Sequence, residues 1–92
     1  MNSTEADVIT QVRAFIHENF LYMRPNFEVG ADDRLLEQGI IDSMGMLQLV
    51  TFLEETFGIR PADDELVPEN LDSIDRIASF VMRKRSQAKG AR

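Results

Sequence analysis

Apolar side chains recur three times along this chain at the spacing of an α-helix, and that pattern limits the possible folds more than any other feature. Val8, Val12, Phe15 and Ile16 fall at i, i+4, i+7 and i+8, with Ile9 beside them. Met46, Leu49, Val50, Leu53 and Phe57 line one side of a second stretch, and Ile74, Ile77, Ala78 and Val81 one side of a third. Such stripes have to be buried against one another, and 92 residues suffice for one domain with one core. The expected fold is all-α: a four-helix bundle of three long helices and one short one.

Local signals set the boundaries. Thr4 can cap the first helix with Asp7 three residues on, a short-armed capping box, and the helix should fade near Asn19. A loop of about twenty residues follows, long for a compact domain, so it is expected to pack through Phe20, Leu21, Phe27, Val29, Leu35 and Leu36. Leu35 and Leu36 suit a turn of helix, and no strand pattern emerges. The second helix should start at Asp42 or Ser43 and end at Phe57, with Gly58 as its stop and Pro61 beyond. Pro61 to Leu71 leaves room for one short helical turn, near Pro68 to Leu71. The last helix should begin at Asp72 or Ser73. Beyond Arg85 no apolar face remains, which predicts one domain over residues 1–85 and a disordered basic tail over 86–92.

Charge narrows the function classes. The net charge is −6, but residues 1–82 carry −11, with sixteen acidic against five basic side chains, and the last ten residues carry +5. An acidic globule of this kind repels nucleic acid and suits basic protein surfaces. The tail reads equally well as a frayed, solvated end. No apolar run is long enough to span a bilayer. The polar N-terminus does not fit a signal peptide, so a cytoplasmic monomer is expected. Zero cysteines exclude disulfides and thiolate metal sites.

One serine has a distinctive setting. In Gly39-Ile40-Ile41-Asp42-Ser43-Met44 a hydroxyl stands at a helix start between a carboxylate and an apolar side chain. A serine nucleophile needs a base within hydrogen-bond reach, and His17, the single histidine, lies on another helix with no evident link to Ser43. The acidic pairs Asp32-Asp33 and Glu54-Glu55 and the run Asp63-Asp64-Glu65 have no metal-site spacing and read as a solvated face. A helix N-terminus does suit a phosphate ester on Ser43, because free N–H groups and the macrodipole favour an anion there. That effect is worth only about 0.3–1 kcal/mol when exposed, so recognition has to come from a partner. Met44 lies on the polar side of the second helix, with Leu47 and Phe52 flanking it. Gly45 is either a tolerated first-turn glycine or a gap that lets another surface approach Ser43. Neither Met44 nor Gly45 belongs to the expected buried face.

From Leu35 onward, the string Leu-Leu-Glu-Gln-Gly-Ile-Ile-Asp-Ser-Met, followed by Leu-Glu-Glu-Thr-Phe-Gly-Ile, resembles the acyl carrier proteins. The long first loop, the acidic third segment and the final helix also fit. The resemblance implies a four-helix bundle that is not an enzyme. It implies that Ser43 receives 4′-phosphopantetheine from coenzyme A through a magnesium-dependent phosphopantetheinyl transferase. Cargo would ride as a thioester on the arm's thiol, which also accounts for the missing cysteine. Asp42 would cap the helix or help position the transferase's metal, and Met44, Gly45, Gln48, Glu54 and Glu55 would meet partners. Those partners would be the transferase, an acyl- or aminoacyl-adenylating ligase, and acyltransferase or synthase enzymes of fatty-acid or more specialised biosynthesis. Where fatty-acid carriers hold acidic residues soon after the serine, this chain has Gly45 and Gln48. Its Asp-Ser-Met-Gly-x-x-Gln-Leu string is similar to the D-alanyl carrier proteins, which leaves acyl and aminoacyl cargo both open. Phe15, Leu49, Leu53 and Ile77 either line a space for cargo or are plain core. The competing reading is an interaction module that is never modified.

Overall fold

The computed structural model describes residues 4–24 and 26–90, with backbone alone for 87–90. Its elements are α1 (Glu5–Phe20), α2 (Ser43–Phe57), a 3-10 turn (Asp63–Glu65), α3 (Pro68–Leu71) and α4 (Ile74–Gly90). The described residues contain no strand, and none of their helices is long and apolar enough to cross a membrane.

The capping box of α1 is formed: Thr4 Oγ1 accepts the Asp7 N–H, and the Asp7 carboxylate accepts the Thr4 N–H, each at 3.2 Å. Val8, Val12 and Ile16 then point inward at the expected spacing. On α2 the stripe Leu49, Val50, Leu53 and Phe57 is buried, and Met46 packs against its edge. Gly58 ends α2 at φ +68°, a left-handed conformation that costs a glycine little. On α4 the expected Ile74, Ile77, Ala78 and Val81 are all buried. Phe80 is buried too, beneath the Arg83 guanidinium 5.8 Å from its ring centroid. The four-residue stripe omits it because Phe80 falls on the shoulder of that stripe.

The long first loop is held on both its side chains and its backbone. Leu21, Val29, Leu35, Ile40 and Ile41 enter the core, with Phe27 packed against it. Backbone groups anchor the loop to the start of α4: the Leu35 N–H donates to the Asp72 carbonyl at 2.8 Å, and the Asp75 N–H to the Ala31 carbonyl at 2.9 Å. Residues 35–39 form a turn, not a helix, that closes with Gly39 at φ +72°.

Two elements differ from expectation. The segment after Pro61 holds a second short turn, Asp63–Glu65, besides α3. Glu65 organises it by accepting the Ala62 N–H and the Lys84 ammonium, each at 2.8 Å. The Ala62 hydrogen bond first, and then Lys84, hold the Glu65 carboxyl below the ordinary glutamate range. The second difference is α4, which continues to Gly90 where loss of the apolar face predicts an end at Arg85. Residues 86–90 contain no proline, and a formed helix extends at little cost through Gln, Ala and Lys. Ala91 and Arg92 of the expected tail lie outside the described residues.

Candidate functional site

The chain reaches Ser43 along a braced path. Both the Ile40 and Ile41 N–H groups donate to the Leu35 carbonyl, at 2.9 and 3.1 Å, and both side chains are buried. Leu35 and Leu36 are fixed in turn by Asp72: its carbonyl takes the Leu35 N–H and its Oδ1 the Leu36 N–H at 3.0 Å. Arg34 lies 3.7 Å from the other carboxylate oxygen. Asp42 then adopts extended backbone, and its Oδ1 accepts the Gly45 N–H at 2.7 Å as the N-cap of α2. Helix α2 therefore begins at Ser43, an exposed residue on rigid backbone. Among the described residues nothing hydrogen-bonds its hydroxyl.

That geometry fits a phosphate ester. Ser43 is exposed, its backbone position is set by the cap, and it stands among the first N–H groups of α2. The Asp42 carboxylate caps the helix, one of the two roles the resemblance implies. No grouping of described His, Asp or Glu side chains could hold a metal ion. Half-buried His17 faces a hollow with Arg13, Glu28, Val29 and Gly30, and Ser43 does not line that hollow.

The residues expected to meet partners divide. Met44 and Gln48 are exposed on the first turns of α2. Glu54 and Glu55 are exposed as well, but they stand at the far end of the helix, a rise of about 17–18 Å from Ser43 at about 1.5 Å per residue. Gly45 departs from the expectation that it lies off the buried face, since it is buried. A Cβ on Gly45 would lie 2.6 Å from Phe20 Cε1 and 2.9 Å from Ile41 Cγ2, so the surface that comes close is this chain's own. Of the residues considered for a cargo space, Leu49, Leu53 and Ile77 are fully buried core. Phe15 stacks on Phe52 with ring centroids 4.3 Å apart, at the rim of a 370 Å³ hollow that also takes in Asn19, Gln48, Thr51 and Glu55.

Two contributors escape the sequence reading. Asp72 reads only as a possible start of the last helix, and the fold reveals that it braces Leu36, 36 positions away, on the approach to Ser43. Phe20, counted as a loop hydrophobe, closes α1 and covers Gly45. The apolar run Phe20-Leu21-Tyr22-Met23, which begins on the last residue of α1, is the available signal.

Comparison with known proteins shows the family. Residues 18–81 match the family described as phosphopantetheine attachment site, a span that contains Ser43 and all of α2. A D-alanyl carrier protein of Abiotrophia defectiva is 30% identical over 53 residues, which cover 58% of this chain and 67% of that protein. Both point to a protein that carries and does not catalyse, with covalently attached 4′-phosphopantetheine as its prosthetic group. The chain belongs to the phosphopantetheine-attachment family and is a carrier protein on an all-helical bundle.

Proposed function

We propose that Ser43 is the attachment point, and that the protein presents an activated acid to partner enzymes after a ligase has loaded it. The observation that carries this is the exposed Ser43 hydroxyl on the first residue of a capped helix, inside the span that matches the family. When bound, the prosthetic group supplies a terminal thiol that holds cargo as a thioester, chemistry that a chain without cysteine cannot provide. The protein's own residues supply position. Asp42 fixes the start of α2, Ile40 and Ile41 pin the approach to the core, and the first N–H groups of α2 would favour the anion of a phosphate ester on Ser43.

For cargo, the likeness to a D-alanyl carrier protein favours an amino acid activated as its adenylate over a long fatty acid. The buried state of Leu49, Leu53 and Ile77 supports the same choice, because a small aminoacyl group needs no space between the helices.

Intact-protein mass spectrometry tests the site. After incubation with coenzyme A, magnesium and a broad-specificity phosphopantetheinyl transferase, the wild type should gain one phosphopantetheine and Ser43→Ala none. Modification of Ser43→Ala would refute the assignment. Loading the modified protein with ATP and an amino-acid-activating ligase should add a hydroxylamine-labile mass. Loading by a fatty-acid ligase alone would overturn the aminoacyl choice.

A further inference from the structure

The hollow that His17 faces has a volume of 460 Å³ and two walls that differ in charge. Arg13 and His17 stand about one turn apart on α1 and form the first wall. Glu28, Val29 and Gly30 of the first loop form the second. The proposed attachment at Ser43 involves none of these residues.

The charged groups of this hollow are fixed in place yet left open. Arg13 reaches across to the loop, its Nη2 donating to the carbonyl of buried Val29 at 3.3 Å, and its other N–H donors remain. Glu28 lines the same hollow, but among the described residues no ion pair joins it to Arg13 or to any other cation. The neighbouring Asp33 carboxylate is occupied by the Gly30 N–H at 2.7 Å. The His17 ring, which can donate from a nitrogen in either charge state, has no partner among the described residues. Other cations of the fold are engaged: Arg34 with Glu37 and Asp72, Lys84 with Glu65, and Arg24 over the Phe27 ring. In a region that carries −11, a guanidinium on an open hollow without a carboxylate stands apart.

The two signs select the ligand. An anion alone would be repelled by Glu28, and a cation alone by Arg13. A molecule with a carboxylate and an ammonium a few bonds apart satisfies both walls. The geometry points to a reversible, non-covalent site for a small free α-amino acid, held by Arg13 and His17 at its carboxylate and by Glu28 at its ammonium. Guanidinium suits carboxylate, and charge-assisted hydrogen bonds are roughly twice as strong as neutral ones. The volume falls within the range of about 300–1,000 Å³ usual for small-molecule sites. Val29 supplies the one apolar side chain of the lining, so a short ligand side chain fits best. The bound molecule ties α1 to the first loop and stabilises the fold by mass action.

The test is a titration of the isotope-labelled full chain with racemic alanine, followed by amide chemical shifts at neutral pH and constant ionic strength. Shifts at Arg13, Val29 and Gly30 should saturate with a Kd on the order of millimolar. Propionate lacks the ammonium and ethylamine the carboxylate, and each should bind at least about tenfold more weakly. Arg13→Gln, which keeps a donor for the Val29 carbonyl, and Glu28→Gln should each weaken alanine about tenfold. Glu28 is exposed, so Glu28→Gln should melt with the unliganded wild type, and its loss of binding then reports the site and not the fold. Shifts that rise without saturating would overturn the inference. Propionate binding as tightly as alanine, or Glu28→Gln binding alanine as well as the wild type, would overturn it in favour of a plain anion site.

Discussion

The chain contains the dipeptide Asp-Ser twice, each time at a helix start, and the structure puts the two pairs to opposite uses. At Asp42-Ser43 the aspartate is the cap, and the serine, first residue of α2, stands in solvent. At Asp72-Ser73 the serine is the cap, its Oγ accepting the Arg76 N–H at 3.1 Å, and both residues are buried. The helix starts one position later because Ile74 has to reach the core directly after the cap. That single step frees Asp72 to turn back and bind the loop that leads to Ser43. A side chain whose bonding capacity is used inside the fold is structural, and one left bare on rigid backbone is available for chemistry.

The largest expected effect is at the glycine that supports the bare serine. Gly45→Val should destabilise by about 3 kcal/mol, near the top of the range for overpacking, because Ile41 is buried and cannot yield. Chemical denaturation measures it, and a stable Gly45→Val would return Gly45 to the docking surface. Next come the two aspartates. Asp72→Ala strands the Leu36 N–H and should cost about 2 kcal/mol, whereas Asp42→Ala loses an N-cap worth about 1 kcal/mol. Equal losses in the same denaturation series would erase the contrast between the pairs.

The smallest effect belongs to the latch between α4 and the 3-10 turn. Lys84→Met removes a partner of Glu65, whose pKa is depressed in the fold. A depressed carboxyl pKa adds stability above its unfolded value, and that stability is lost as pH falls through the folded one. The wild type should therefore be slightly more stable than Lys84→Met at neutral pH, and the difference should vanish in acid. Melting curves across that range check it, and a difference that grew on acidification would contradict the pairing.

Much of this was legible in the sequence. The three long helices follow from apolar spacing, and the α1 capping box and the Gly58 stop follow from chemistry within a few residues. Ser43 stood out because its neighbours Asp42 and Met44 are local too. What stayed hidden depends on partners distant in sequence. Gly45 reads as open until Phe20 is seen against it, and Asp72 reads as a mere helix start until Leu36 arrives from the first loop. The 3-10 turn rests on a contact between Glu65 and Lys84, nineteen positions apart, that no local pattern announces. Helix α4 outruns its apolar stripe because helix continuation needs no buried face.

Fragment-ion mapping of the modified protein tests the central claim most directly, since one tryptic peptide from Leu35 to Arg76 holds both serines. The account predicts the phosphopantetheine mass on Ser43 alone, with Ser73 unmodified. Finding that mass on Ser73, or on any other residue of a protein whose Ser43 is intact, would contradict it.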